Sequence, residues 1–211
     1  MSETLDELAL KYQTDKGSQY HNYTRWYERH FRPFVGTGVT VLEIGICESK
    51  SLLMWREYFG PAARVVGLDY SAEYCTVAAG LGFEVICGKQ EDPGIMALIS
   101  HQVKPQIIID DGGHQAAFQM ASFDGLFPHL PQGGLYVIED LHTAYWNWGG
   151  NLQPYLHRLA DGATNHGVSS YGDLFYDAPG AAKLSPIDRN ITAVHFYPSI
   201  VFVEKGDKTV R

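Results

Sequence analysis

The 211-residue sequence has few cysteines and no long hydrophobic run. Cys47, Cys75 and Cys87 are odd in number and form no C-x-x-C pair, so we interpret them as reduced core thiols rather than as disulfide or zinc ligands. No apolar stretch reaches membrane-spanning length, and the acidic first ten residues lack the pattern of a signal peptide. These absences predict a soluble, unprocessed cytoplasmic protein.

The sequence also lacks any cluster of basic residues. It carries 16 Lys and Arg against 24 Asp and Glu, for a net charge of −8. Such a balance argues against nucleic acid or an anionic membrane as the main partner, and favours a small neutral or cationic molecule. The sequence is compatible with a homo-oligomer and does not specify one. A chain of this length, 45% hydrophobic, can form one well-buried α/β domain and need not form two.

Segments with strand-like and helix-like patterns alternate along the chain. Predicted strands fall at 40–45, 64–69, 83–87, 106–109 and 134–138, and predicted helices at 51–58, 74–81, 95–100 and 116–126. This order is typical of a doubly wound, mostly parallel α/β sheet. Residues 192–197 and 200–203 flank Pro198-Ser199, which predicts a hairpin. The whole pattern predicts a seven-stranded sheet that ends in an antiparallel pair.

Two further segments concern domain organisation. Residues 1–35 precede the first strand and are predicted to form a helical N-terminal cover of the domain. Residues 146–190 are rich in Gly, Asn, Asp and Ser, with helical periodicity only at 152–159. Long connections of this kind are often active-site lids. A linker between domains is the alternative, but too little sequence follows it for a second core, so we expect one domain over 1–211.

Two acidic clusters carry the strongest functional signal. DDGGH at 110–114 and EDLH at 139–142 each follow a predicted buried strand. Ligands of open α/β sheets bind at such strand ends. If the two strands are neighbours, Asp111, Glu139 and Asp140 converge as oxygen ligands for a hard divalent cation such as Mg²⁺. The alternative is that a carboxylate such as Asp111 only caps the next helix.

Several side chains around these clusters have candidate roles. His114 follows two glycines at a predicted helix start, where the helix dipole and a cation both favour the neutral imidazole, so it is the candidate general base. We assign Asp110 to the cofactor side, because successive strand residues face opposite ways. His142 is a second base, a substrate contact or a loop histidine. Aromatic residues that either form a wall for a ring-shaped substrate or pack the lid are Tyr145, Trp146 and Trp148.

The ends of the first two strands suggest a nucleotide-type cofactor. Gly45, after Glu43 at the end of the first strand, permits close approach of the backbone, and the carboxylate of Asp69 at the end of the second strand can accept hydrogen bonds from ribose hydroxyls. The G-x-G-x-x-G fingerprint is missing, so a dinucleotide pyrophosphate would be poorly bound. An adenosyl cofactor without phosphates, S-adenosylmethionine, fits better. Gln90 is a candidate for the adenine edge by its position in the fold. A merely structural glycine is the alternative reading of Gly45.

Seven motifs occur in an order that covers nearly the whole chain: TDKG at 14–17, HNY at 21–23, LEIG at 42–45, SLLMW at 51–55, DDGGH at 110–114, EDLHT at 139–143 and HFYPSIVF at 195–202. With them, the sequence resembles class I S-adenosylmethionine-dependent methyltransferases of Rossmann-like fold. More narrowly, it is similar to the metal-dependent O-methyltransferases of macrolide sugars and to the cephalosporin hydroxylase-associated family. The resemblance implies metal ligation by Asp111, Glu139 and Asp140, a base at His114, and cofactor contacts from Glu43, Gly45, Asp69, Lys16 and Tyr23.

The function that this resemblance implies is methyl transfer from S-adenosylmethionine to a hydroxyl of a small natural product of sugar or polyketide type. Ser49 and Lys50 stand where relatives usually carry glycines. The identity of the acceptor substrate cannot be inferred from the family. Two alternatives are a metal-dependent hydroxylase or hydrolase on the same site, and a catalytically silent binding partner. The missing 2-His-1-carboxylate triad at this site argues against non-haem iron chemistry there.

Overall fold

The computed structural model describes residues 3–146, 148–164 and 185–208. Within these ranges the strands form one seven-stranded sheet of order β3-β2-β1-β4-β5-β7-β6. The strands are β1 Thr40–Ile44, β2 Arg64–Asp69, β3 Glu84–Cys87, β4 Ile107–Asp110, β5 Leu135–Ile138, β6 Ile191–Tyr197 and β7 Ile200–Lys205. The first five strands run parallel, and β7 lies antiparallel to both β5 and β6. The predicted fold class is confirmed.

Helices cover both faces of the sheet. They are α1 Leu5–Tyr12, α2 Thr24–Phe31, α3 Lys50–Phe59, α4 Ala72–Gly80, α5 Pro93–Leu98, α6 Ala116–Leu126 and α7 Gln153–Thr164. Buried side chains of α1 to α4 share one core with one face of the strands, and those of α5 to α7 share a second core with the other. No helix among the described residues is long and apolar enough to cross a membrane.

The central strands are apolar on both faces because both are covered. In β4, Ile107 and Ile109 point into the first core and Ile108 into the second, all with 0% exposure. Uninterrupted β-branched runs of this kind are typical of strands buried on both faces, and the prediction that β4 is a buried strand is confirmed. The pairing of β4 with β5 brings the two acidic clusters to adjacent strand ends.

Element boundaries differ from the predicted ones in a few places with identifiable causes. The helix expected near 95–100 begins at Pro93, because Asp92 accepts hydrogen bonds from the backbone N–H groups of Gly94 and Ile95. It continues as a wider π-type turn over Ile99–Val103. Strand β7 extends to Lys205, beyond the predicted end at residue 203.

The three cysteines are free, as expected, but their predicted environment was wrong for two of them. Cys75 is buried on α4, whereas Cys47 and Cys87 are exposed. Both exposed thiols lie just after or at the end of a strand, where the chain leaves the core, so an apolar neighbourhood in sequence did not imply burial. Of the predicted lid at 146–190, residue 147 and residues 165–184 lie outside the described residues.

Candidate active site

A cavity of about 470 Å³ opens at the carboxyl ends of the parallel strands. Its walls come from the ends of β1 and β2 and from the segments that follow β3, β4 and β5. The volume lies within the range of small-molecule and cofactor sites. The cavity therefore occupies the edge of the sheet where a doubly wound fold binds its ligand.

Gly45 forms the floor where the ends of β1 and β4 meet. Its φ is +81°, and a Cβ atom there would lie 2.1 Å from the carbonyl oxygen of Asp111. A side chain at this position would collide with backbone that cannot move aside easily. The glycine predicted from the strand-end pattern is thus required by both conformation and space.

Asp69 is held at the end of β2 by backbone donors. Its carboxylate accepts hydrogen bonds from the N–H groups of Ile46 at 3.0 Å, Cys47 at 3.3 Å and Ser71 at 2.9 Å. The side chain lines the cavity although the residue is only 7% exposed. These contacts fix its orientation before any ligand arrives.

Lys16 lies among three carboxylates behind the cavity. Its Nζ is 2.5 Å from Asp111 Oδ2, 2.8 Å from Glu139 Oε1 and 3.6 Å from Glu43 Oε1. Burial alone would lower the pKa of Lys16, but the three carboxylates outweigh it and raise that pKa well above its usual value. Tyr27 of α2 also donates a hydrogen bond to Glu139. Glu139 is therefore bound by protein groups on two sides.

Asp111, His114 and Asp140 form a group that could hold a metal ion. One ligand atom from each lies within 4.8 Å of the others. His114 Nε2 is 4.0 Å from Asp111 Oδ1 and 3.6 Å from Asp140 Oδ2, whereas its Nδ1 is buried without a hydrogen-bond partner. Tyr23 donates a hydrogen bond of 2.8 Å to Asp140 Oδ1. The structure thus brings the predicted base and two predicted ligands to one point.

Backbone strain accompanies this arrangement. His114 has φ +52° and Asp140 has φ +56°, both in the left-handed region that non-glycine residues seldom occupy. Such conformations cost of the order of 1–3 kcal/mol each and persist where surrounding contacts impose them. Thr143 supplies one such contact, because its hydroxyl donates to the carbonyl oxygens of both His114 and Asp140.

Comparison with known proteins finds homologues of this chain. No family model matches the chain. The mycinamicin VI 2''-O-methyltransferase of Micromonospora griseorubida is 38% identical over 96% of this chain and 52% of its own length. The demethylmacrocin O-methyltransferase of Streptomyces fradiae is 36% identical over 96% of this chain and 53% of its own. This chain is a homologue of these O-methyltransferases. It spans about half the length of the curated relatives it matches.

Solved structures of homologous O-methyltransferases agree. The MycE methyltransferase of the mycinamycin pathway, in complex with Mg and SAH, superposes with a TM-score of 0.85 at 34% identity, covering 100% of this chain and 56% of that one. A MycE complex with Mg, SAH and mycinamycin VI gives a TM-score of 0.84 at 33% identity, covering 99% and 55%. The predicted resemblance is confirmed over almost the whole chain.

In the structure of this chain, the predicted cofactor residues fall into two groups. Gly45, Asp69 and Gln90 line the cavity. Behind it, away from the lining, lie Glu43, Asp110, Lys16 and Tyr23. For the strand residues Glu43 and Asp110, alternation explains the difference, because side chains that point into the helix layers cannot also face the strand ends. Lys16 and Tyr23 lie outside the sheet, before and at the start of α2.

Glu43 is an acceptor within the first core. Its carboxylate takes hydrogen bonds from Ser51 Oγ at 2.7 Å and Trp55 Nε1 at 3.2 Å, both on α3. Burial raises the pKa of Glu43 to about 7, and the nearby Lys16 opposes this shift. Glu43, predicted as a cofactor contact, connects β1 to α3 and to the Lys16 ammonium.

Asp110 lies on the opposite side of the sheet from Asp111. Tyr136 donates to it at 3.0 Å and Gln90 Nε2 at 3.1 Å, and Ser122 also donates. Burial raises the pKa of Asp110 to about 6 against these hydrogen bonds. Gln90 Oε1 in turn accepts from the N–H of Gly113 at 2.7 Å. Asp110 therefore positions the glycine loop through Gln90 and does not face the cavity itself.

Two contacts escaped the sequence reasoning. Tyr27 was assigned to the core, yet its hydroxyl reaches Glu139. The spacing of Tyr23 and Tyr27, one helical turn apart, was the available signal, because residues four apart share a helix face. Phe118 of α6 also lines the cavity, and nothing in its apolar surroundings distinguished it from a core residue.

His142 begins an exposed row of rings beside Asp140. Its Nδ1 lies 2.5 Å from Ser199 Oγ and 3.9 Å from Asp140 Oδ1. Its ring packs 4.9 Å from Trp146, which packs 5.5 Å from Trp148. The two tryptophans are 48% and 54% exposed. We call His142, Trp146 and Trp148 the aromatic strip.

Proposed function

We propose that this chain transfers a methyl group from S-adenosylmethionine to a sugar hydroxyl of a glycosylated natural product, with Mg²⁺ as metal cofactor. The observation that carries the proposal is the convergence of Asp111, His114 and Asp140 at the edge of a cofactor-sized cavity. Homologues named as O-methyltransferases support the reaction, and the MycE complexes contain Mg and SAH. A small-molecule acceptor is accordingly the main partner.

The cavity fits an adenosyl cofactor without phosphates. Gly45 leaves its floor open, Asp69 presents a preoriented carboxylate for ribose hydroxyls, and Gln90 stands on the adenine side predicted from the fold. A charge-assisted hydrogen bond of the kind that Asp69 can accept contributes about 1.5–3 kcal/mol. No phosphate-binding nest is needed for this ligand.

The donor set fits a hard divalent cation. Asp111 and Asp140 offer carboxylate oxygens at one point, and Glu139 follows as the predicted third ligand. In the structure Glu139 accepts from Tyr27 and Lys16, so its direct ligation stays a prediction. Mg²⁺, when bound, lowers the pKa of a hydroxyl that contacts it.

His114 is suited to hold the proton that the acceptor loses. Its Nε2 lies 4.0 Å from Asp111 Oδ1 and 3.6 Å from Asp140 Oδ2, beside the proposed metal ligands. The hydrogen bond from Gly113 to Gln90 fixes the loop that carries His114. The chain thus positions base, acceptor and methyl donor, and proximity supplies much of the rate increase.

The aromatic strip is the proposed acceptor surface. Trp146 and Trp148 offer flat apolar faces next to Asp140, and such faces suit the rings of a glycosylated scaffold. The names of the homologues, which include a rhamnosyl tetracenomycin-C 2'-O-methyltransferase of Streptomyces olivaceus, support a sugar hydroxyl as the target. The expected lack of nucleic-acid partners and the cytoplasmic location stay predictions.

The proposal can be tested with methyl-labelled S-adenosylmethionine, Mg²⁺ and matched pairs of glycosylated macrolides and their aglycones. We expect label on the sugar of the glycosylated member of a pair, located by tandem mass spectrometry. Label on the aglycone alone would overturn the sugar specificity. Absence of S-adenosylmethionine binding by calorimetry would overturn methyl transfer and favour the hydrolase or hydroxylase alternative.

A further inference from the structure

A second group of metal-binding side chains lies where α2 packs against the C-terminal hairpin. His30 comes from α2, His195 from β6 and Glu204 from β7, and one ligand atom from each lies within 4.8 Å of the others. None of the three lines the cavity. The group is therefore separate from Asp111 and its neighbours.

Strand register brings two of these side chains together. His195 pairs with Phe202, and Glu204 pairs with Ala193, so His195 and Glu204 are diagonal neighbours on one face of the hairpin. His195 Nε2 lies 2.7 Å from Glu204 Oε1. The two atoms are therefore close enough to bind the same ion.

Helix α2 adds the third side chain from above this face. The His30 ring stacks on Phe202 with centroids 4.4 Å apart and lies 4.7 Å from the ring of His195. Its Nε2 is 3.0 Å from the hydroxyl of Tyr197. The packing and the hydrogen bond fix the orientation of the imidazole, as outer partners do for histidine ligands.

The donor set is that of a zinc site. Two imidazoles and one carboxylate are a known set of protein ligands for Zn²⁺, with a fourth position left to water. The side chains of His195 and Glu204 are 34% and 39% exposed, which leaves access for an ion.

We propose that His30, His195 and Glu204 bind Zn²⁺ and thereby join α2 to the hairpin. Ligand atoms around a tetrahedral ion with bonds of about 2.0–2.1 Å lie roughly 3.3 Å apart. The ligand atoms of this group lie within 4.8 Å of one another, so binding requires them to move closer by about 1.5 Å at most. The joined helix carries Tyr27, which reaches Glu139 of the active site. Zinc at this position stabilises the N-terminal support of the catalytic carboxylates.

The test is zinc binding by the whole chain in a large excess of Mg²⁺, which occupies the carboxylate site but competes poorly for imidazole. Zn²⁺ affinity is measured by competition with a chromophoric chelator, and thermal unfolding is followed in parallel. Variants Glu204→Gln and His195→Gln remove one ligand each while keeping similar volume. His157→Ala, an exposed histidine of α7, is the matched control.

We expect one Zn²⁺ per chain with a rise in unfolding temperature in the parent and in His157→Ala. Affinity should fall at least tenfold in both ligand variants, and their unfolding temperature should no longer respond to zinc. Equal affinity in the parent and both variants would overturn the proposal. So would zinc binding that Asp111→Asn abolishes and Glu204→Gln leaves intact, because the ion would then occupy the active site.

Discussion

Charge is unevenly balanced around Lys16. Its single ammonium group faces Asp111, Glu139 and Glu43. A fourth carboxylate, Asp140, lies 3.6 Å from His114 Nε2, which is itself 4.0 Å from Asp111. Burial raises the pKa of Glu139 well above its usual value, and Asp111 raises it further. Carboxylates crowded in this way repel one another, and a divalent cation relieves that repulsion. This excess of negative charge is the physical basis for the proposed metal binding.

Asp111→Asn should therefore weaken Mg²⁺ binding at least tenfold and reduce methyl transfer in proportion. The amide keeps the shape of the side chain but loses the charge that faces both Lys16 and the proposed cation. Calorimetric titration with Mg²⁺ measures the change, and Asp161→Asn on exposed α7 serves as control. Unchanged Mg²⁺ affinity would remove Asp111 from the ligand set.

His114→Gln should lower kcat by about 10²–10⁴-fold, the usual contribution of a general base, while Mg²⁺ and cofactor affinities change little. The loss should shrink for an acceptor whose hydroxyl is already acidic, because less help is then needed to remove its proton. Steady-state kinetics with the two acceptors check this. If kcat instead survives in His114→Gln and falls in His142→Gln, the base is His142.

The sequence pattern groups Asp111, His114 and Asp140 because they follow shortly after two recognisable strands, and parallel strands end at one edge. It does not show toward which face of the sheet the side chains of Asp110 and Glu43 point. Both are carboxylates at strand ends, yet their partners Tyr136 and Trp55 lie far away in the sequence or on another element. Which face such a side chain takes depends on tertiary contacts that no local pattern shows.

At the scale of elements, the approach of the β1 end to the β4 end shapes the cavity. Gly45 donates its N–H to the carbonyl of Leu68 at 2.8 Å, and its Cα lies against the backbone at Asp111. The cavity floor and the proposed metal ligand Asp111 are therefore parts of one backbone contact. A change at this contact should affect both ligands together.

Gly45→Ala should destabilise the chain more than Gly36→Ala, although both glycines have positive φ, +81° and +75°. A left-handed alanine costs roughly 1–2 kcal/mol at either position. At Gly36 a Cβ meets nothing within 4 Å, whereas at Gly45 it meets the Asp111 carbonyl at 2.1 Å, which should add about 1–3 kcal/mol. Urea unfolding and SAH titration measure both effects. Equal losses in the two variants would contradict the close approach.

Strands were predicted more accurately than helices for a physical reason. A strand buried on both faces is a short, uninterrupted apolar run, and β2 at Arg64–Asp69 matches its prediction in full. Helix starts depend on caps such as Ser71, whose side chain accepts from the N–H of Tyr74 and starts α4 at Ala72. The predicted start at Tyr74 followed apolar spacing and missed that cap.

For the whole molecule, the order of the sheet could be inferred only in part. Alternation of strands and helices predicted a doubly wound sheet, and Pro198-Ser199 predicted the hairpin. The insertion of β7 between β5 and β6 was not specified by any local feature, because it depends on the pairing of Tyr136 with Val203 and its neighbours. The fold class was therefore available from the sequence, and the position of the hairpin in the sheet was not.

Stability of the metal-free chain should depend on pH through Glu43. Its pKa rises from 4.5 to about 7 on folding, so the folded state binds more protons between these values and the free energy of unfolding falls as pH rises through them. At 1.36 kcal/mol per unit the loss is about 3 kcal/mol. Urea unfolding between pH 4.5 and 7.5 should show a smaller decline in Glu43→Gln than in the parent.

Exposed Glu73 provides the control for that experiment. Glu73→Gln should keep the pH dependence of the parent, because an exposed carboxylate is not transferred into the core on folding. If Glu43→Gln and the parent decline by the same amount, the buried carboxylate is not responsible for the pH dependence.

The central claim is metal-dependent methyl transfer, and the most direct measurement is turnover of labelled S-adenosylmethionine on a glycosylated macrolide with and without Mg²⁺. The arrangement of Asp111, His114 and Asp140 predicts turnover in Mg²⁺, a loss of at least a hundredfold in EDTA, and recovery when Mg²⁺ is restored. General metal-ion catalysis contributes several kcal/mol, which is consistent with a loss of this size. Full turnover in EDTA would contradict the account.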